Sequence, residues 1–245
     1  MGIKTMKIRN IYLGKGIPFF CIAVTLLCII VTLISQLIPS TFFVFAFFPL
    51  KYPWQIITWI FLHGAPQELL PPDAPYSAID LTLGHLGYNL LLILLFGILA
   101  EKILGTKKIL VLFAVSWVAD VITMLIIGVV YTKILNETEL AGGAGASGLA
   151  FCFMPIGVYV LFVLGRKYGF GKLFKQVSFY LLMSIAVPTL IIALSPSVSG
   201  VTGIESMIIH LLALVIGTIF TIVFSKTINA YFDQHKSEII GSKYE

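Results

Sequence analysis

The segment Gly142-Gly143-Ala144-Gly145-Ala146-Ser147-Gly148 opens an apolar stretch that runs on to Leu164. It places one hydroxyl among glycines at the mouth of a predicted membrane helix. Small residues let helix backbones approach closely within lipid, so the pattern taken alone favours a packing contact between helices. A nucleophilic serine is the alternative, and features elsewhere in the chain have to decide between the two.

The composition is that of a polytopic membrane protein. Of 245 residues, 59% are hydrophobic and only 11% are charged, and the mean hydropathy is +1.03. A helix needs about 20 apolar residues to cross the roughly 30 Å hydrocarbon layer. Six stretches qualify, at approximately 17–38, 81–101, 108–130, 144–164, 177–196 and 205–225. The sequence therefore predicts an all-α membrane protein, with a six-span domain over 17–228 between a cytoplasmic segment 1–16 and a cytoplasmic tail 229–245.

The net charge of +5 is a topology signal and does not indicate nucleic-acid binding. Fourteen of the sixteen Lys and Arg residues lie in the amino terminus, the second and fourth loops and the carboxyl tail. The first, third and fifth loops hold only Lys51 and Lys133. By the positive-inside rule we expect both termini in the cytoplasm and the odd-numbered loops outside.

The first span and the cysteines are interpreted as structural. The first span follows basic residues, as a secretory signal does, but it is longer than a signal's apolar core and lacks a small-x-small cleavage site, so we expect it to be retained. Cys21, Cys28 and Cys152 all lie inside predicted spans without Cys-x-x-Cys spacing. They predict packing contacts, with neither a disulfide framework nor a zinc site.

The first outer loop, 39–80, is long and aromatic. Aromatic rings at this density favour the headgroup layer, so we expect the loop to lie in the membrane surface. Trp54 to His63 is predicted to form a short interfacial helix. Gly64 to Asp80 is rich in proline and acid, which is typical of an exposed excursion.

Four polar side chains stand out within the spans. His85 and Asn89 lie one turn apart on the same face of the second span. Asp120 is the only acid deep in any span, and an intramembrane carboxylate is a functional hypothesis by default. Nothing beside it has ligand spacing, so a structural carboxyl, neutral or hydrogen-bonded to another helix, is favoured because burial of an unpaired charge is costly. His210 in the sixth span, taken alone, is more typical of packing than of catalysis.

The depth of these residues links them. Spans two, four and six run in the same direction, and at 1.5 Å per residue His85, Ser147 and His210 are expected roughly 5–8 Å past the starts of their helices. Asn89 follows one turn deeper. Polar groups from three helices are therefore expected in one layer of the outer leaflet.

That layer contains the groups that acyl transfer needs. A serine hydroxyl becomes a good nucleophile when a base takes its proton, and neutral histidine is suited to do so near pH 7. Ser147 and His210 supply this pair. The Asn89 amide, the His85 ring and the Ser147 backbone N–H are suitable donors to an oxyanion, and three helix N-termini point to the same place.

These residues resemble the rhomboid family of intramembrane serine proteases, which carries Gly-x-Ser-Gly on the fourth span, His-x-x-x-Asn on the second and a histidine on the sixth. The chain has Gly145-Ala146-Ser147-Gly148, His85-Leu86-Gly87-Tyr88-Asn89 and His210. The likeness extends from Trp54 to Gly217. It includes Trp54 with Phe61-Leu62-His63, Glu101 with Gly105, and Phe151, which resembles the aromatic residue that packs on the family's catalytic histidine.

The resemblance implies a six-helix bundle with a membrane-embedded first loop. It implies cleavage of transmembrane segments of other proteins near their outer ends, through an acyl-enzyme on Ser147 and without metal or cofactor. His210 is then the general base, and Asn89 and His85 are the oxyanion donors. The expected partners are transmembrane protein substrates and membrane lipid, with no nucleic acid, and the expected location is a cell membrane.

Three departures from the family pattern stand out. The family's Trp-Arg pair is Trp54-Gln55, so any role of that arginine is missing or replaced. The extension around 64–80 separates His63 from His85 along the chain. Ala213 stands where glycine is usual and bulky Ile209 precedes the histidine, which is expected to widen the contact between the fourth and sixth spans.

Two alternatives stay open. One is a catalytically inactive rhomboid-like protein that binds membrane clients, although such proteins usually lack the serine or the histidine. The other is a small transporter, which is disfavoured because no chain of ionisable residues continues through the inner leaflet. There is also no His-Glu-x-x-His for a zinc protease, and Asp120 has no second intramembrane aspartate with which to form a dyad.

Overall fold

A computed structural model describes residues 16–48, 52–70, 77–134, 143–195 and 201–236. Within these ranges the main helices are α1 Phe19–Leu37, α2 Ala78–Leu104, α3 Thr106–Val129, α4 Ser147–Tyr168, α5 Val177–Ala193 and α6 Val201–Gln234. Five are long and apolar enough to cross a membrane, and α5 is shorter, at 17 residues. The predicted all-helical membrane fold is therefore confirmed.

Shorter helical pieces complete the described chain. In α2, a π-helical turn, Ile93–Gly97, joins the α-helices Ala78–Leu92 and Ile98–Leu104, and a second π-turn, Val130–Ile134, follows α3. The remaining short helices are Pro39–Thr41, Phe42–Phe45, Gln55–Thr58, Trp59–Phe61, Gln67–Leu69 and Phe170–Leu173. The excursion predicted for 64–80 is described only in part, because residues 71–76 lie outside the described ranges.

Helix α4 is the centre of the bundle. In its most apolar window 78% of the residues are buried, against at most 39% in the other four long helices. Gly97 of α2 lies against α4 so closely that an added Cβ would meet the Phe153 ring at 2.9 Å and Cys21 of α1 at 3.1 Å. A glycine here lets α1, α2 and α4 meet.

The end of α2 is fixed by Glu101. Its carboxylate accepts hydrogen bonds from the backbone N–H groups of Phe20 and Cys21, at 3.0 and 2.9 Å, and from the Thr106 hydroxyl at 2.7 Å. The first turn of a helix has N–H groups without intrahelical partners, so this buried acid caps α1 from another helix. Gly105, with φ +82°, makes the turn into α3.

Helix α6 packs along α4 and continues well past the expected end near 225, to Gln234. Tyr168 donates from its hydroxyl to the carbonyl of Phe232 at 3.0 Å, and Phe232 is fully buried. Lys167 forms an ion pair with Asp233. The first part of the expected solvated tail is thus a helix docked on α4, because its apolar side chain and polar groups have partners there.

The first loop is held in place by Gln55, the residue that departs from the Trp-Arg pattern. The Gln55 side chain is fully buried; it donates to the carbonyl of Phe43 at 2.7 Å and accepts from the Phe48 N–H at 3.2 Å. A neutral amide therefore cross-links the two halves of the loop. The short helix predicted over Trp54 to His63 is present as Gln55–Thr58 continued by the 3₁₀ turn Trp59–Phe61.

Candidate active site

The backbone before Ser147 is held against the first loop. Gly143 pairs with Phe47 through two backbone hydrogen bonds of 2.9 Å, and the Gly145 N–H donates to the Trp59 carbonyl at 3.0 Å. Gly145 has φ +126°, a conformation that favours glycine. Helix α4 consequently begins at Ser147 itself, later than the expected 144, and Ser147 lies at the helix start, half-buried.

His63 completes this attachment. The Ala146 N–H donates to His63 Nε2 at 3.2 Å, and the His63 backbone N–H donates to the Thr32 hydroxyl at 3.1 Å. Burial, and secondarily the neighbouring His85, lowers the pKa of His63 to about 3, which keeps Nε2 available as an acceptor. The sequence pointed to His63 only as part of a motif, and its contact with the residue before Ser147 was not predicted.

The His85 ring lies directly against Gly145. A Cβ added to Gly145 would be 2.7 Å from both His85 Cε1 and Nε2, so only glycine permits this approach. The rings of His63 and His85 have centroids 4.9 Å apart. The two histidines are therefore neighbours despite the long insertion between them in the sequence.

Asn89 lies one turn deeper on α2 and is 2% exposed. Its Nδ2 donates to the His85 carbonyl at 2.9 Å. The buried Oδ1 has no hydrogen-bond partner among the described residues. An Nδ2 group carries two hydrogens, so one donor remains beyond the intrahelical bond.

His210 of α6 is 6% exposed and stacks on Phe151 of α4. The two ring centroids are 4.1 Å apart and the planes differ by 4°. Phe151 is one turn past Ser147, so the imidazole lies against the same part of α4 as the serine, and the predicted packing of Phe151 on His210 is confirmed. His210 Nδ1 is buried without a hydrogen-bond partner among the described residues.

No hydrogen bond joins Ser147 to His210 within the described chain. Hydrogen bonds between catalytic groups are often long in ligand-free enzymes and tighten when substrate binds. The structure thus brings His85 to the Ser147 turn and His210 to the next turn of α4. The catalytic roles of these residues remain predictions.

The unusual residues around His210 fit without opening the contact with α4. Ile209 packs in a cluster with Phe47, Trp59, Ile60 and Met124, beneath the first loop. Ala213 is fully buried. One turn further, Gly217 meets the Cys152 backbone, where an added Cβ would lie 2.9 Å from both Cα and C. The expected widening is therefore not seen at Gly217, where the backbones of α4 and α6 are in close contact.

Asp120 lies behind the serine turn. Its carboxyl faces Gly148 so closely that a Cβ there would overlap it. The Oδ1 atom and the Ser116 hydroxyl are both buried without partners among the described residues. A cavity of about 10 Å³, bordered by Ser116, Asp120 and Ala146, adjoins them, which is about the room one water needs. The sequence identified Asp120 but not its neighbours.

Comparison with protein families gives a match. A sequence model described as "Rhomboid domain" matches residues 76–227, which is more than half of the chain and includes α2 to α5 and most of α6. No curated protein matches.

Proposed function

The chain belongs to the rhomboid family, and from that premise we propose that it is an intramembrane serine endopeptidase that cleaves transmembrane segments of other membrane proteins near the outer leaflet. Membership of this family suggests an intramembrane serine protease. In the proposal Ser147 is the nucleophile and His210 the general base. Asn89, His85 and the Ser147 N–H stabilise the oxyanion.

The observation that supports the proposal best is the stacking of His210 on Phe151. Ring centroids 4.1 Å apart with nearly parallel planes hold the plane of the imidazole against α4. A base must lie within reach of the proton that it takes. A ring held one turn from a serine at the helix start is placed to meet that need.

In the proposed reaction the Ser147 oxygen attacks the scissile carbonyl while His210 takes the hydroxyl proton. His210 then gives the proton to the departing amine, which leaves an ester on Ser147. A water, deprotonated by the same ring, attacks the ester and restores the serine. These steps need no carboxylate, and the carboxyl of Asp120 faces Gly148.

The tetrahedral intermediate carries negative charge on the former carbonyl oxygen. Ser147 is the first residue of α4, so its N–H is among those without an intrahelical acceptor. The helix dipole adds positive potential at that point. The His85 ring against Gly145 and the Asn89 amide one turn deeper supply side-chain donors from α2. The proposed donors thus come from two helices.

A fluorophosphonate probe tests the proposal directly because it reacts with activated serines. The purified protein in detergent should be labelled, and Ser147→Ala and His210→Ala should both lose labelling. Ser184→Ala, which removes an exposed serine of α5, is the matched control and should be labelled like the wild type.

The same experiment separates the alternatives. A client-binding protein or a transporter has no activated serine, so neither would be labelled. Equal labelling of the wild type and Ser147→Ala would remove the protease proposal. Cleavage of single-span test substrates with small residues near the outer boundary, blocked in Ser147→Ala, would then identify the reaction.

A further inference from the structure

A wide cleft opens between α4, α5 and α6, away from the serine. It has a volume of about 560 Å³. On α4 it begins at Met154, two turns past Ser147, and follows Val158 and Phe162 toward the other end of the bundle. This spacing is one continuous face of a helix. On α6 the cleft runs from Leu214 to Ile222.

The polar side chains that line the cleft have hydrogen-bond partners within the protein. The hydroxyls of Thr218 and Thr221 donate to carbonyls of their own helix, each at 2.7 Å. The Tyr159 hydroxyl accepts a hydrogen bond from Asn229 at 3.0 Å. The other lining side chains are apolar, so what fills the cleft is hydrocarbon.

Cations stand at the end of the cleft farther from Ser147. Arg166 lies four residues beyond Phe162 on α4, and Lys226 lies four residues beyond Ile222 on α6, so each continues a lining face. Both side chains are exposed. Neither forms an ion pair within the described part of the chain.

Neighbouring features place this end at the membrane boundary. Rings of Phe162, Phe170 and Phe174 follow one another with centroids about 6 Å apart, joining α4 to the start of α5. Arg166, Lys167 and Lys172 lie between these rings in the sequence, and cations in such a cluster flank the end of a membrane span. Lys167, the residue after Arg166, forms an ion pair with Asp233. We therefore expect Arg166 and Lys226 at the depth of lipid phosphates.

We propose that the cleft binds an acyl chain of an anionic phospholipid, with its phosphate held by Arg166 and Lys226. An apolar cleft within a bilayer is filled by the lipid tails around it, and this holds for every phospholipid. The two cations add selectivity, because basic sites between membrane helices bind anionic headgroups. The proposal does not depend on proteolysis.

Native mass spectrometry of the full-length protein tests the site. The protein is titrated in detergent with phosphatidylglycerol or phosphatidylcholine, and the bound lipid is counted. We expect phosphatidylglycerol to bind more tightly. The double variant Arg166→Gln/Lys226→Gln should weaken it about 30-fold, or about fivefold for each charge. Lys107→Gln/Lys236→Gln removes two exposed cations from the same end of the bundle, outside the cleft, and should bind as the wild type does.

A second pair of variants tests the cleft itself. Val187, 49% exposed, lines the cleft, whereas Leu181, 48% exposed on the same helix, does not. Val187→Trp should reduce binding of both lipids, and Leu181→Trp should leave it unchanged. Equal affinity of the wild type for the two lipids would overturn the proposal. So would unchanged phosphatidylglycerol binding in the cation variant, or a lipid-free dimer formed through this face.

Discussion

The contact between Gly217 and the Cys152 backbone is expected to set the distance between Ser147 and His210. Gly217 lies two turns past His210 on α6, and Cys152 lies on α4 next to Phe151. The added Cβ of Gly217→Ala would be 2.9 Å from two Cys152 backbone atoms and closer to its carbonyl oxygen. Ordinary contact begins near 3.4 Å. Because backbone cannot rotate away, α4 and α6 must separate by about half an ångström or more.

The expected effect is larger on reactivity than on folding. Overpacking of this kind costs about 1–3 kcal/mol, which lowers the thermal midpoint but leaves most of the protein folded. A misplacement of about 1 Å between reacting groups costs about 100-fold in rate. We therefore expect Gly217→Ala to react with a fluorophosphonate about 10- to 100-fold more slowly than the wild type, with α4 and α6 still helical.

The assay compares the labelling rate constant with the thermal midpoint in the same detergent. Gly84→Ala is the control, because a Cβ at Gly84 of α2 meets nothing within 4 Å. It should label at the wild-type rate and unfold at the same temperature or slightly higher. A Gly217→Ala protein that is labelled at the wild-type rate would refute the reasoning, since the Gly217 contact would then not determine where His210 lies.

Three further predictions follow from the site and its supports. The pKa of His63 is lowered from 6.5 to about 3. Between these two pH values His63 is therefore protonated in the unfolded chain but neutral in the folded protein. The free energy of unfolding should fall from pH 6.5 toward pH 3 by up to about 1.4 kcal/mol per pH unit. Over this range the thermal midpoint of His63→Gln should fall less than that of the wild type. Equal falls in the two proteins would contradict the prediction. Asn89→Ala should lower turnover about 100-fold with little change in midpoint, and unchanged turnover would reassign Asn89 to packing. Glu101→Ala should cost about 2–3 kcal/mol in thermal unfolding, because it leaves one buried and one part-buried N–H group of α1 unpaired; a midpoint equal to that of the wild type would show that water replaces the cap.

Hydropathy was sufficient to predict the helices but not where α4 begins. The apolar run continues through 143–146, so composition placed the start of the span there. These residues are not helical because Gly145 takes φ +126° and because Gly143 and Gly145 form backbone hydrogen bonds to the first loop. Hydropathy reports burial of side chains and says nothing of a loop whose N–H groups find acceptors on another segment.

The approach of His63 to His85 was not predicted from the sequence. His63 and His85 are separated by a long insertion, yet their rings are neighbours. His63 is held by Thr32 and Ala146, and Gly145 leaves room for the His85 ring. The sequence contains no signal for these partners, because each is a backbone or hydroxyl group of an element distant along the chain.

The first loop therefore belongs to the proposed catalytic machinery although it contributes none of its reacting groups. Three contacts join it to the four residues before Ser147: the Phe47 pairing, the Trp59 carbonyl and the His63 ring. Each of them uses a backbone N–H before the helix, so the loop orients the same turn whose own N–H groups are proposed to receive the oxyanion. A substitution in the loop that breaks one of these bonds should therefore change turnover more than it changes the stability of the helix bundle. The reason is that the core of the bundle lies around α4, past the turn that these bonds orient.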